Sequence, residues 1–187
     1  MTVVVAAVGS SCAWMRGDLA VTDENGIQVE AGPKVYRMRW GLVGFSGSIR
    51  VAQVVLAELA QLAGDDDDLE LSIPKTVGRA LRSAGWEGSA VSELPSCEDL
   101  QLLIVLRNGR TLVMQGDLGT LAVDGARGYA IGSGTELALG ALYASLEARV
   151  APQTAVAVAV DAACRHVASC AWPGATLALE LEQAGNL

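Results

Sequence analysis

The chain has 187 residues and a formal net charge of −8, and it contains no block of Lys or Arg, so nucleic acid and anionic membrane surfaces are poor candidates as partners. Hydrophobic residues make up 51% of the sequence, yet no apolar run reaches the roughly 20 residues that a membrane helix needs, so we expect the excess in doubly covered sheets and subunit interfaces. Four cysteines without CxxC spacing and a single histidine argue against a disulfide framework and a zinc site, and we expect no metal or cofactor.

The start of the chain predicts short strands followed by a helix. The predicted strands cover residues 2–8, 12–22, 35–39 and 41–45. Asn25-Gly26 is a strong hairpin signal, and Ser48 is a suitable N-cap for a helix over 49–63. The apolar first residues lack a basic segment and are interrupted at Gly9-Ser10-Ser11, which disfavours a signal peptide and leaves the cytoplasm as the expected compartment.

The next segment predicts a second helix bounded by polar stretches. Asp65 to Asp68 forms an acidic tract, which we interpret as a solvated turn between helices, with a metal-binding loop as the alternative. Pro74 suits the first turn of a helix, which we expect over 75–84. Glycine, proline and serine residues then indicate a loop over 85–99.

The second half of the chain predicts more strands and a second pair of helices. Asn108-Gly109 lies between two apolar runs and predicts a β-hairpin of strands 100–106 and 111–115. Further strands are expected over 120–123, 128–131 and 175–182, and helices over 135–149 and 153–169. Grouped strands with paired helices predict an α+β fold, in which two stacked antiparallel sheets lie between helix layers. We expect one domain over 1–187, since no internal repeat is present.

Most common catalytic motifs are missing from the sequence. Gly44-Phe45-Ser46-Gly47 is not a G-x-S-x-G elbow, and neither a Walker loop nor a G-x-G-x-x-G motif occurs. A Ser-His-Asp triad would need His166, which lies inside a predicted helix, where packing or hydrogen bonding explains it without catalysis.

Thr2 offers a different kind of nucleophile. Small residues after the initiator permit removal of Met1, which would leave a threonine that carries both a hydroxyl and a free α-amine. The amine can serve as the nucleophile's own general base, since an α-amine titrates at about pH 7.7–8.0 whereas lysine titrates at about 10.4. A threonine at this position also suits the start of a strand, so the observation alone does not assign an activity.

Lys34, Asp18 and Gly47 complete a candidate site around Thr2. Of the 13 Lys and Arg residues only Lys34 and Lys75 are lysines, so Lys34 is not the default cation of this chain. An ammonium beside the nucleophile can favour deprotonation of the hydroxyl and relay a proton, which an arginine cannot do. Asp18 can hold that ammonium, and the backbone N–H of Gly47, at a glycine-rich strand-to-helix turn, can face a developing oxyanion. Asp–Lys pairs are also common on protein surfaces, where they contribute little to stability.

Six segments share residue types and spacing with one enzyme family. They are Thr2-Val3-Val4-Val5, Gly17-Asp18, Gly32-Pro33-Lys34-Val35, Gly44-Phe45-Ser46-Gly47-Ser48, Tyr129-Ala130-Ile131-Gly132-Ser133-Gly134 and Asp161 to Ser169. Together they resemble proteasome β-subunits and, more closely, the bacterial HslV peptidase, over essentially the whole chain. Thr2, Asp18, Lys34 and Gly47 are similar to that family's nucleophile, catalytic aspartate, essential lysine and oxyanion glycine.

The resemblance implies the N-terminal nucleophile hydrolase fold, a four-layer αββα sandwich. It implies a self-compartmentalising threonine endopeptidase of homo-oligomeric stacked rings that acts on unfolded polypeptides or peptides, with an ATP-dependent unfoldase as a candidate partner. By the same resemblance Ser133 and Ser169 support the nucleophile. The residues that resemble the walls of the family's substrate pocket, and so imply cleavage after apolar residues, are Val21, Gly32, Tyr36, Phe45 and Ile49. Such residues would also suit a hydrophobic core.

His166 departs from the family pattern, because proteasomes have an aspartate at the resembling position. A neutral imidazole can still hydrogen-bond the threonine amine, whereas a charged one would repel that amine and Lys34. Three functions therefore stay open: the threonine peptidase, a non-peptide amide hydrolase on the same fold, and a catalytically weak or inactive proteasome-like scaffold.

Overall fold

Two antiparallel sheets lie face to face between two pairs of helices. The computed structural model describes residues 2–22, 28–63, 66–86 and 100–182. The strands are β1 Val4–Val8, β2 Cys12–Gly17, β3 Ala20–Thr22, β4 Gln28–Glu30, β5 Val35–Met38, β6 Gly41–Gly47, β7 Leu100–Leu106, β8 Thr111–Met114, β9 Thr120–Val123, β10 Tyr129–Ile131 and β11 Leu177–Glu180. The helices are α1 Ile49–Leu59, α2 Asp66–Ser83, α3 Thr135–Glu147 and α4 Pro152–His166.

The strands form two main sheets and one short ribbon. One sheet has the order β10-β1-β2-β11, the other has the order β5-β6-β7-β8-β9, and β3 pairs with β4 in a separate two-stranded ribbon. The pairings within both main sheets are antiparallel, as predicted. The predicted hairpin at Asn108-Gly109 joins β7 to β8, and Gly109 has the positive φ, +84°, that such turns require.

Three apolar layers fill the space between the four layers of secondary structure. One lies between α1, α2 and the five-stranded sheet, one between α3, α4 and the four-stranded sheet, and one between the sheets. In β1 and the residue before it, Val3 and Val5 pack against the helices, whereas Val4 packs against the opposite sheet. Because both faces of β1 are buried, its sequence is a continuous apolar run. The four-layer αββα sandwich is confirmed.

The strand predicted over 12–22 is interrupted at Asp18. β2 ends just before this residue, and β3 begins two residues after it. Asp18 leaves the ladder because its carboxylate accepts the backbone N–H groups of Val3 and Ala20, and it forms an isolated bridge to Pro173. A side chain that binds backbone donors in this way competes with sheet pairing. The interruption directs the carboxylate toward the start of the chain.

Helix α2 is longer than predicted. Asp66 to Asp68 form its start instead of a turn. Pro74 lies inside the helix and not in its first turn. Four fully buried side chains at four-residue spacing account for this, since their burial outweighs the roughly 3 kcal/mol that an interior proline costs. They are Leu69, Ile73, Val77 and Leu81.

Helix α4 is shorter than predicted. It ends at His166, and Val167 is extended, with φ −105° and ψ 114°. The Val167 carbonyl then accepts the N–H of Cys170, which closes a turn after the helix. Ser169 lies in this turn and is buried, so it points into the protein instead of continuing the helix surface.

Two sequence predictions fall on residues outside the described ranges. They are the hairpin turn at Asn25-Gly26 and most of the loop over 85–99. The strands on either side of the first of these, β3 and β4, pair antiparallel. Within the described ranges, no helix is both long enough and apolar enough to cross a bilayer.

Candidate active site

A buried ion pair lies beside the start of β1. Lys34 Nζ is 2.9 Å from Asp18 Oδ1, and the two side chains are 3% and 0% exposed. Asp18 also accepts the N–H groups of Val3 at 3.0 Å, Ala20 at 3.3 Å and Ala171 at 3.4 Å. A buried pair loses much hydration energy, and such additional hydrogen bonds are what make it tolerable. The interruption after β2 thus creates a fixed negative charge that holds one ammonium group.

The same ammonium group contacts the hydroxyl of Thr2. Lys34 Nζ donates to Thr2 Oγ1 at 2.6 Å, and it also donates to the carbonyl oxygen of Ala20. Thr2 is 2% exposed in a chain that still carries Met1. An ammonium held at this distance favours a developing negative charge on the hydroxyl oxygen, and low exposure strengthens the effect.

Two serines extend the hydrogen bonding on the backbone side of Thr2. Thr2 N donates to Ser133 Oγ at 3.1 Å, and Ser133 Oγ lies 2.8 Å from Ser169 Oγ. The Thr2 carbonyl accepts from Ser133 Oγ at 3.3 Å and from the N–H of Gly134 at 3.2 Å. Pairing of β10 with β1, with Val4 opposite Ile131, brings this turn beside the chain start. The main-chain nitrogen of Thr2 therefore has one hydroxyl partner, Ser133, which is in turn hydrogen-bonded to Ser169.

Gly132 packs directly against Thr2. It has φ +94°, and a Cβ at this position would lie 2.3 Å from the Thr2 carbonyl oxygen and 3.0 Å from Ser46 Oγ. Its N–H donates to Gln101 Oε1 at 3.2 Å. Sequence reasoning did not find Gln101, because its position depends on the pairing of β6 with β7, in which it lies opposite Ser46. No local pattern in the sequence carries that information.

Gly47 ends β6 at the same edge of the site. It follows Ser46 directly, and its φ of +116° is a conformation that favours glycine strongly. Ser48, the predicted N-cap, then precedes α1 but makes no side-chain cap hydrogen bond. The positive φ of Gly47 changes the direction of the backbone between β6 and α1. This change of direction lies directly after Ser46, whose Oγ is close to Gly132.

An apolar cavity of about 250 Å³ adjoins the ion pair. All five residues predicted as pocket walls line it: Val21, Gly32, Tyr36, Phe45 and Ile49. Lys34 also belongs to its lining, which connects the cavity to Thr2. The rings of Tyr36 and Phe45 stack with centroids 6.3 Å apart. Burial raises the pKa of the Tyr36 hydroxyl, which donates to the Pro33 carbonyl at 2.8 Å.

The surroundings of His166 and of the nearby cysteines do not suit a nucleophile or a base, although Cys170 Sγ lies 4.0 Å from Ser133 Oγ. His166 is exposed at the end of α4, and within the described ranges no hydrogen bond joins it to Thr2. Burial, followed by the nearby carboxylate of Asp18, raises the pKa of the Cys164 thiol to about 12, and the same two causes raise that of Cys170. Protonated thiols are poor nucleophiles, so cysteine chemistry is disfavoured here.

Comparison with solved structures identifies the fold. BPH of Thiobacillus denitrificans in complex with epoxomicin matches with a TM-score of 0.79 and 20% identity, over 97% of this chain and 100% of that one. A second structure of BPH from the same organism gives a TM-score of 0.78 and 22% identity, over 97% of this chain and 99% of that one. HslV of Trypanosoma brucei gives 0.68 and 20%, over 96% and 99%. The chain has the proteasome/HslV-type fold. At these identities the likeness shows the fold alone, and neither family models nor curated proteins match the sequence.

Proposed function

We propose that this chain is a threonine peptidase whose nucleophile is Thr2, released as the N-terminal residue by removal of Met1. The observation that carries the proposal is the 2.6 Å hydrogen bond from Lys34 Nζ to Thr2 Oγ1, within a buried pair with Asp18. A structural threonine at the start of a strand needs no buried ammonium, and burying one is costly. The proteasome/HslV-type fold supports the same reading.

The proposed reaction begins with attack of Thr2 Oγ1 on the scissile carbonyl carbon. The free α-amine of Thr2 accepts the hydroxyl proton, the Oγ–C bond forms, and the carbonyl π electrons move to oxygen. Collapse of this tetrahedral species breaks the C–N bond, and the proton passes to the departing amine. Water then attacks the resulting ester on Thr2, which releases the acid and restores the hydroxyl.

The neighbouring groups supply charge stabilisation and orientation in this scheme. Lys34, held by Asp18, stabilises negative charge on Thr2 Oγ1. The N–H of Gly47 faces the oxyanion of the tetrahedral species. Ser133, bonded to Ser169, orients the amine, since its Oγ is 3.1 Å from Thr2 N.

The substrate in this proposal is an unfolded polypeptide or peptide with an apolar residue before the scissile bond. The apolar cavity of about 250 Å³ is adjacent to Thr2 through Lys34 and is walled by stacked aromatic rings. Binding of a peptide is favoured when an apolar side chain leaves water and enters a cavity of this kind. The epoxomicin complex of BPH supports ligand access to a site on this fold.

Assembly into homo-oligomeric stacked rings is part of the proposal, with an ATP-dependent unfoldase as a candidate partner. The outer surface of α3 and α4 exposes apolar side chains: Leu137 by 38%, Tyr143 by 62% and Val158 by 44%. Contact between subunits would bury them. Light scattering tests this point, because a monomer or dimer would favour the alternative of a non-peptide amide hydrolase.

Intact mass and turnover test the proposal together. We expect protein from its native host to lack Met1, and epoxomicin to add its mass at Thr2. Thr2→Ala should lower peptide turnover by at least about a thousandfold with assembly unchanged, whereas Thr2→Ser should retain measurable activity. Retention of Met1, or equal turnover by Thr2→Ala and the parent protein, would instead favour an inactive scaffold or a different site.

A further inference from the structure

A second cavity lies on the opposite face of the five-stranded sheet from the apolar cavity. Along β6, Phe45 lines the apolar cavity, and the next side chain, Ser46, points the other way, toward Gly132. Gln101 lies opposite Ser46 in the pairing of β6 with β7, so its side chain shares that second face. There a cavity of about 330 Å³ opens beside the Gly132-Ser133 turn. We call it the polar cavity.

The lining of the polar cavity offers hydrogen-bonding groups and one negative charge. Gln101 Nε2 donates to Gln115 Oε1 at 3.1 Å, which fixes both amides in the wall. Ser133 and Thr135 add hydroxyl groups, and Glu136 is exposed at the start of α3. Among the described residues that line it, Glu136 is the only charged one. The apolar cavity instead contains Lys34 and has no carboxylate in its described lining.

Thr2 lies between the two cavities. Lys34, in the wall of the apolar cavity, donates to Thr2 Oγ1, and Ser133, in the wall of the polar cavity, accepts from Thr2 N. Successive side chains of an extended peptide point in opposite directions. A peptide whose side chain before the scissile bond enters the apolar cavity therefore directs the following side chain toward the polar cavity.

We infer that the polar cavity binds the side chain that follows the scissile bond and selects a cationic one, Lys or Arg. This inference rests on the proposed peptidase function. Glu136 attracts an ammonium or guanidinium group, and the amide and hydroxyl oxygens of the wall accept its N–H groups. A carboxylate in the same position would face the like charge of Glu136. The apolar cavity thus binds an apolar side chain before the scissile bond, and the polar cavity binds a cationic side chain after it.

Internally quenched peptides test this subsite on the assembled protein after Met1 removal. They share one apolar residue before the scissile bond and carry Lys, Gln or Glu after it. We expect kcat/KM about fivefold higher with Lys than with Glu, since one exposed carboxylate contributes modestly. The ratio should approach one in 1 M salt, where the screening length is about 3 Å.

A charge reversal with a matched control separates the subsite from general charge effects. Glu136→Lys should invert the preference, so that the Glu peptide becomes the better substrate. Glu147→Lys changes the net charge equally from the other end of α3 and should leave the Lys-to-Glu ratio unchanged.

The outcomes distinguish this inference from the proposed function. Equal rates with the Lys and Glu peptides, or an unaltered preference in Glu136→Lys, would overturn the subsite and leave the peptidase standing. Hydrolysis of an acyl-aminocoumarin, whose leaving group has no side chain, without cleavage of any peptide would overturn the subsite and would favour the alternative of a non-peptide amide hydrolase. Failure to hydrolyse both kinds of substrate would overturn the peptidase and the subsite with it.

Discussion

Gly132 and Thr2 are in such close contact that no side chain fits between them. A Cβ on Gly132 would lie 2.3 Å from the Thr2 carbonyl oxygen, and the φ of +94° would strain any other residue. The Thr2 carbonyl oxygen is therefore packed against the backbone of Gly132 and accepts hydrogen bonds from Ser133 Oγ and from the N–H of Gly134.

Gly132→Ala should displace the start of β1 and abolish turnover. The steric overlap involves backbone atoms, which cannot move without breaking the pairing of β1 with β10. We expect a loss of stability of about 2 kcal/mol or more in chemical denaturation and peptide hydrolysis at background level. Gly140→Ala in α3 is the matched control, because a Cβ there meets nothing within 4 Å, and it should keep full activity. Similar turnover in the two variants would contradict the prediction.

The Asp18–Lys34 pair should show strong energetic coupling. Lys34→Met or Asp18→Asn removes one member of the buried ion pair, which costs about 3–5 kcal/mol in either case. The double variant should cost clearly less than the sum of the two, as measured by denaturant unfolding at one protein concentration. Arg127→Met, which removes the exposed pair with Asp124 at 3.4 Å, should change stability by less than about 1 kcal/mol. Additive losses at the buried pair would refute this account.

Gln101 should affect the chemical step through the turn that it supports. Gln101→Leu removes the acceptor of the Gly132 N–H, and we expect kcat for an acyl-aminocoumarin to fall about tenfold with KM little changed. Gln101→Glu keeps an oxygen at that position and should restore most of the rate. An equal loss of kcat in both variants would show that the hydrogen bond accepted from the Gly132 N–H does not determine the rate.

Gly32 should control the size of the side chain accepted before the scissile bond. It lines the apolar cavity, and a Cβ there has no atom within 4 Å, so Gly32→Val has open space at its Cβ and adds bulk to the cavity wall. The ratio of kcat/KM for Leu to that for Ala before the scissile bond should fall about tenfold, while unfolding is unchanged. An unaltered ratio would mean that this side chain binds elsewhere.

The rate at which Cys164 is alkylated should depend on pH as expected for a buried thiol with a raised pKa. With a pKa of about 12, its thiolate fraction rises about tenfold per pH unit, so alkylation by a neutral reagent should keep rising from pH 7 to 10. In urea the same thiol should level off above roughly pH 8.5. Because the folded pKa is the higher one, this group also lowers stability as pH rises above its unfolded value. Mass spectrometry of the modified peptide measures both profiles, and a plateau near pH 8.5 in the folded protein would contradict the prediction.

Local signals in the sequence were sufficient for much of the architecture. Asn108-Gly109 predicts its hairpin because the turn type demands positive φ, and β1 is recognisable because a strand covered on both faces is apolar throughout. The predictions that were wrong involve distant partners. Pro74 is accommodated by side chains buried under another layer, and Asp18 interrupts a strand because donors elsewhere in the chain bind its carboxylate.

The residues of the candidate site fall into the same two groups, those that were predicted from the sequence and those whose positions depend on distant parts of the chain. Thr2, Asp18 and Lys34 were predicted from residue types together with the resemblance to the proteasome and HslV peptidases, and the structure brings them into contact. Composition alone could not distinguish a buried pair from the commoner surface pair, because exposure depends on the whole fold. The contribution of Gln101 depends on strand register, and the inward position of Ser169 depends on where α4 ends.

The carboxylate of Asp18 gathers segments that are far apart along the chain. It accepts one N–H from Val3, at the start, and another from Ala171, 153 residues beyond Asp18 itself. Such contacts form late, because long loops must close before they are made. A polypeptide still emerging from the ribosome cannot assemble this cluster until its last helix has been released. In the proposed peptidase, the group that holds Lys34 beside Thr2 would therefore be complete only after α4 has been synthesised.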